Sequence, residues 1–236
     1  MKSARKNFDL SAYLIIGPEN TPDRSPLDII QLALEAGFTF IQIRSKVLDA
    51  KPWIELTIQA ADLIKKMGLQ DKVSLVVNDR LDVVLAAREA GAKVDGIHVG
   101  QTDLPVALCR KYLGPDAIIG LSATALELID YVKHEDVSEV DYFGAGPLHA
   151  SPSKPEAGHF EGQDLVTRTY DELEQLAQVS PIPVTIGGGV TLADLPDLAQ
   201  TGVDSFFVIS AVTTAEDPGQ AAKDLVSSWK QYRKEH

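Results

Sequence analysis

Cysteine is almost absent from this chain: Cys109 is alone among 236 residues. A lone thiol excludes an intrachain disulfide framework and a thiolate-based zinc cluster, and cytoplasm is the expected compartment. Long apolar runs are missing too. The N-terminal stretch MKSARKNFDLSAYLIIG has no adequate hydrophobic segment before Asp9, and LIIG is far too brief to span a bilayer. Neither secretion nor membrane insertion is expected. Positive charge is in deficit, with 22 Lys and Arg against 34 Asp and Glu, a net charge of -12. That balance argues against nucleic acid, whose binding rests on neutralising phosphates. An anionic small molecule is repelled by the same global field. Any phosphate must be held by a local cluster of cations, backbone N–H groups or a metal. The sequence shows no linker, low-complexity tract or second-domain boundary, so a single domain over residues 1–236 is expected.

What the chain does have is alternation. Strand-like runs begin at Tyr13 (YLIIG), Phe38 (FTFIQIRS), Val73 (VSLVVND), Gly96 (GIHVG), Ile118 (IIGLSA), Tyr142 (YFGAGPL), Pro183 (PVTIGG) and Ser205 (SFFVISA). Segments such as PLDIIQLALEAG, WIELTIQAADLIKKMG and LADLPDLAQTG lie between them, apolar at helical spacing and closed by glycine. EAGFTFI, EAGAKVDGIHV and QTGVDSFFV repeat one theme: a helix end, a glycine cap and the start of a strand. Strand–helix alternation predicts an α/β fold with a covered parallel sheet. Eight units in this length predict a single (β/α)8 TIM barrel rather than an open doubly wound sheet.

Such barrels work at the C-terminal ends of their strands. The run LVVNDR (Leu75 to Arg80) ends a buried aliphatic strand in an amide, a carboxylate and a guanidinium, which is either a turn or a site. Along strand two, side-chain alternation puts Ile41 and Ile43 under the helices. Gln42 and Arg44 then face the mouth, with Lys46 beyond them. Inward cations cost desolvation energy unless an anion joins them. Asp79 and Asp103 follow neighbouring strands. They are either a carboxylate pair that wants a cation or N-caps for the helices at LDVVLAA and LPVALCR.

Gly187-Gly188-Gly189 after strand seven and Ile209-Ser210 after strand eight fall where many barrels bind phosphate. The loop HASPSKPEAG offers Ser151, Ser153 and Lys154 as a phosphate clamp, or is an ordinary surface loop. His98 reads as a hydrogen-bonded interior residue rather than a base. His149 and His159 flank the hydroxyl loop. Cys109 reads as a buried apolar side chain on helix four.

These residues, taken in order, resemble thiamine-phosphate synthase. The matching stretches are QIRSK from Gln42, NDR from Asn78, HVGQTDLP from His98, GLSA from Gly120, GAGPLHASPSK from Gly144, IGGGVT from Ile186 and VISA from Val208. They cover nearly the whole chain. The resemblance implies condensation of 4-amino-2-methyl-5-hydroxymethylpyrimidine diphosphate with 4-methyl-5-hydroxyethylthiazole phosphate, giving thiamine phosphate and pyrophosphate with Mg²⁺ as cofactor.

It further implies that Gln42, Ile43, Arg44, Ser45, Lys46, Asn78, Ser122 and Lys154 form the pyrimidine diphosphate site. Ser151, Pro152, Ser153, Gly189, Ile209 and Ser210 would form the thiazole phosphate site. Asp79 and Asp103 would hold the metal, and Arg44, Lys46, Ser122 and Lys154 would carry catalysis. Its partners are small molecules, and a homo-oligomer is compatible with it.

The chain departs from the family pattern at several points. Ser45 stands where an acidic residue is usual. Ser151 and Ser153 replace Thr, and His149-Ala150 replace an aromatic and Pro. The third glycine of IGGGV leaves Gly188 or Gly189 as the phosphate contact. The rival readings are a thiazole tautomerase on the same barrel, which has no need of a metal and diphosphate cluster, and a non-catalytic sensor of thiamine precursors. A further phosphate-handling isomerase would require an acid–base pair that the strand ends do not supply.

Overall fold

The computed structural model describes residues 8–153 and 157–233. Its strands are β1 (Tyr13–Ile16), β2 (Phe40–Ile43), β3 (Ser74–Asn78), β4 (Gly96–Val99), β5 (Ile118–Ala123), β6 (Tyr142–Ala145), β7 (Val184–Ile186) and β8 (Ser205–Val208). Each pairs in parallel with the next, and β8 returns to β1, so the eight close into a barrel. Between and after them run α1 (Pro26–Ala36), α2 (Ala50–Lys66), α3 (Leu81–Glu89), α4 (Val106–Leu113), α5 (Leu128–His134), α6 (Tyr170–Val179), α7 (Leu195–Gln200), α8 (Ser210–Thr213) and α9 (Pro218–Arg233). The (β/α)8 expectation holds. The strands are shorter than the apolar runs that announce them. Phe38, for example, lies ahead of β2 and packs edge-on against Phe206. Among the described residues no helix is long and apolar enough to cross a membrane.

Local chemistry accounts for the element ends. Ser25 caps α1 by accepting the Leu27 N–H, Pro26 opens the helix, and Gly37 ends it at φ 101°, a left-handed turn that only glycine adopts without strain. Strand alternation then sorts the buried residues into two layers. Leu14, Ile16, Ile41, Ile43, Val77 and Phe143 belong to the large outer core under the helices. Tyr13, Ile15, Phe40, Val76, Ile118 and Tyr142 fill the barrel itself.

The bottom of the barrel carries a repeated anchor. The sequence Val-Asp precedes β4, β6 and β8, and each aspartate accepts a backbone N–H from the strand before its own. Asp95 accepts from Leu75, Asp141 from Ile119 and Asp204 from Val184, at 2.7–2.9 Å. Ahead of β2 a threonine does related work, since Thr39 Oγ1 lies 3.4 Å from both the N–H and the carbonyl of Ala12. Every second strand is thus pinned to its predecessor, which sets the register of the residues at the top. Asp141 is additionally paired with the buried Arg110 at 2.7 Å.

Candidate active site

On the β2–β3 side of the mouth, Gln42 and Arg44 are buried and face a cavity of about 200 Å³. Ile43 points the other way into the outer core, so only its main chain can serve the site. Ser45 is buried and occupied locally. Its hydroxyl bonds Glu19 at 3.0 Å and accepts the N–H groups of Val47 and Leu48. Glu19 also accepts the Lys46 N–H at 2.5 Å, fixing the segment that carries both cations. The exposed Lys46 ammonium stands 3.6 Å from Asp79 Oδ2.

Asn78 ends β3 and donates to Asp79 Oδ2 at 2.5 Å. Asp79 sits at φ 59°, alone among the described non-glycine residues in having positive φ. That conformation costs energy, and aspartate and asparagine tolerate it best. Residues held in such conformations cluster at active sites and ligand clamps. The Asp79 carboxyl is raised above its ordinary 3.8, first by burial and then by the neighbouring Asp103 carboxylate, with Lys46 and Arg44 opposing. Asp103 is exposed and accepts the Gly100 N–H at 2.8 Å. The cap alternative fails for both aspartates: α3 begins behind Arg80 and α4 behind Pro105, neither with a side-chain cap.

Across the mouth, Ser122 of β5, Ser151, Gly187 to Gly189, Ile209 and Ser210 line the same cavity. Pro152 is exposed and Ser153 half-buried, while Lys154 lies outside the described residues. Both Gly188 (φ 79°) and Gly189 (φ 72°) face the cavity, and a Cβ on either would meet Pro147 or His149 within 2.8 Å. Glycine at both positions therefore lets the β6 loop pack directly on this wall. Two contacts zip the β6 and β7 loops together. Gly188 O accepts the His149 N–H at 2.9 Å, and His149 Nε2 meets Asp194 Oδ1 at 2.8 Å. Burial opposes the Asp194 charge, but its bonds to His149 and Thr191 hold that carboxyl below 3.8. α8 starts at Ser210 on the cavity wall, where the first helical N–H groups have no partner within the helix.

Sequence reasoning missed Tyr13, Thr124 and Phe207 as cavity residues, and gave His98 an interior place without noting that it faces the cavity. The alternation that found Gln42 and Arg44 could have found Tyr13 and His98, which occupy the same inward phase of their strands.

A closed (β/α)8 barrel whose mouth holds one small cavity lined by Arg44, Gln42, Asn78 and a glycine wall, with Lys46, Asp79 and Asp103 outside that lining, has the architecture of a phosphate-handling barrel enzyme. The chain belongs to the thiamine monophosphate synthase family, whose model matches residues 12–212. It is 35% identical to a thiamine-phosphate synthase of Desulfitobacterium hafniense over 94% of this chain and 98% of the relative. Identity to a thiamine-phosphate synthase of Corynebacterium efficiens is 34%, covering 95% of this chain and 97% of that one. Among solved structures it resembles a thiamine phosphate pyrophosphorylase from Pyrococcus furiosus, with a TM-score of 0.76 and 27% identity over 94% and 96% of the two chains.

Proposed function

We propose that this chain is a thiamine-phosphate synthase that joins the pyrimidine diphosphate to the thiazole phosphate. The C–O bond between the pyrimidine methylene and diphosphate breaks, a C–N bond to the thiazole nitrogen forms, and pyrophosphate leaves. The observation that carries this reading is one cavity with two unlike walls: Gln42, Arg44 and Asn78 on one side, Gly187 to Gly189 and Ser210 on the other. Two anionic substrates can then lie end to end. Family membership supplies the substrate identities.

Pyrophosphate departs only as its developing charge is neutralised, and Arg44, with Lys46 at the rim, is suited to that. Ser122 and Asn78 add hydrogen bonds, and Lys154 is assigned a third cation. The pyrimidine methylene left behind is a cation stabilised by its electron-rich ring. The thiazole nitrogen that captures it bears no proton, so no general base is required. Positioning of the two substrates carries much of the rate.

Asp79 and Asp103 fit a magnesium ion. They are two adjacent carboxylates, one of them raised by burial and by the other, in want of a cation. Mg²⁺ is usually held by one or two carboxylates with waters and substrate phosphates completing its shell. When bound, Mg²⁺ would supply further neutralisation of the leaving diphosphate. Cys109, buried in α4, suits a cytoplasmic location.

The test is product formation from both substrates with and without Mg²⁺, read as thiochrome fluorescence after oxidation. Metal-dependent product is expected. Folded protein that binds the thiazole phosphate but makes no product would turn the assignment to a tautomerase or a sensor.

A further inference from the structure

Five side chains from five strands form one continuous hydrogen-bonded chain inside the barrel. Gln42 Nε2 donates to the Tyr13 hydroxyl at 2.6 Å, and that hydroxyl lies 3.0 Å from the Tyr142 hydroxyl. Tyr142 in turn lies 3.0 Å from His98 Nδ1, and His98 Nε2 lies 3.0 Å from Ser122 Oγ. Both ends, Gln42 and Ser122, face the cavity. The fold has made room for this chain. A Cβ on Gly120 would stand 2.2 Å from Tyr142 Cζ and 2.4 Å from His98 Nδ1, so the central link exists only because β5 carries no side chain there.

Each phenol has one proton, and each link can use only one. A phenol oxygen can accept two hydrogen bonds, so two orders satisfy these links, and the charge at the cavity chooses between them. In the order that starts at the amide, Gln42 Nε2 donates to Tyr13, Tyr13 gives its proton to Tyr142 and Tyr142 to His98 Nδ1. The histidine proton then resides on Nε2 and goes to Ser122 Oγ. The serine's own proton is left to point into the cavity. In the opposite order Ser122 would spend its proton on His98 and turn lone pairs towards an anionic substrate, which repels. Burial raises both phenols above their ordinary 10, so neither loses its proton near neutral pH.

We propose that this chain is a proton-ordering relay that makes Ser122 a hydrogen-bond donor to the departing diphosphate, with Tyr13, Tyr142 and His98 as positioning residues for it. The proposal rests on the synthase reading for the identity of the anion, but the proton order itself does not.

The first experiment is ¹⁵N NMR of the His98 ring in the wild-type protein near neutral pH. The expected result is a neutral ring protonated on Nε2 only; a proton on Nδ1 overturns the relay, whatever the enzyme does. The second is a kinetic cycle. Tyr142→Phe keeps the ring and removes the hydroxyl, and should lower kcat about tenfold, the scale of one oriented hydrogen bond. KM for both substrates should stay within about twofold, as for an interaction made in the transition state. In a Ser122→Ala background the same change should cost nothing further. Losses that multiply across the two sites would show that Tyr142 does not act through Ser122. Tyr13→Phe, one link further away, serves if Tyr142→Phe does not fold. A wild-type enzyme that makes no thiamine phosphate would defeat the synthase reading, while the His98 tautomer would still decide the relay.

Discussion

Asp79 concentrates the conflict between stability and function at a single position. It holds a left-handed backbone, and its carboxyl is raised by burial and by Asp103. A carboxyl with a raised pKa holds its proton more tightly in the folded state than in the unfolded one. Its stabilising contribution therefore fades as pH climbs from about 3.8 through the raised value. Above the raised value the metal-free protein carries a charge that burial and Asp103 oppose. Asp79→Asn keeps the shape and tolerates positive φ while removing that charge. We expect turnover to fall at least about 100-fold, the scale of one lost charge-stabilising group. The melting temperature without metal should be unchanged or higher. A drop in both would make Asp79 a structural residue. A neighbouring residue shows the opposite pattern. Ser45 spends its hydroxyl on Glu19 and on two backbone N–H groups, so its place in the binding stretch is to hold the loop that aims Arg44 and Lys46.

At the scale of elements, the βα loops carry the site and the αβ junctions hold the barrel in register. The Arg110–Asp141 pair joins α4 to the start of β6, and both members are buried. Arg110→Met would strand the Asp141 carboxylate, and we expect a loss of about 3–5 kcal/mol in urea unfolding. Activity per folded molecule should stay near wild type, because the pair lies at the opposite end from the mouth. The loop latch behaves differently. His149 is half exposed, so His149→Ala should cost less than about 1 kcal/mol of stability. Its loss removes the side-chain tie from the Ser151 loop to Asp194 and leaves the main-chain bonds of Leu148 and His149 to Gly187 and Gly188 in place. Steady-state kinetics should show KM for the thiazole phosphate rising several-fold, with KM for the pyrimidine diphosphate little changed. Equal rises in both would argue that the latch shapes the whole mouth.

Considered as a whole molecule, the barrel closes around two buried tyrosines. Tyr13 and Tyr142 are both raised above 10, chiefly by burial. Below pH 10 the folded and unfolded chains hold these protons equally. Above it the unfolded chain releases them and the folded barrel does not, so stability falls as pH rises. Each tyrosine contributes a slope of up to about 1.4 kcal/mol per pH unit. Denaturant unfolding between pH 9 and 11 should show that loss, with a shallower slope in Tyr142→Phe. A flat profile would mean that the phenols are reached by solvent.

Period-two alternation along each strand and the glycines that close the helices were legible in the amino acids alone. They yield the eight units and the inward phase of Gln42 and Arg44, because a strand's facing depends only on its own pleat. The aspartates were legible as a pair, since consecutive strands in a barrel are neighbours. Their freedom from helix capping was not, because it turns on where α3 and α4 begin. The Tyr13–Tyr142 contact was not legible either. It joins residues 129 apart in the chain, and no local pattern reports which inward side chain meets which across a closed barrel. The order of protons running from Gln42 to Ser122 belongs to that closure. Hydrogen bonds act over about 3 Å, and only the packing of five strands around the gap at Gly120 brings their ends so close.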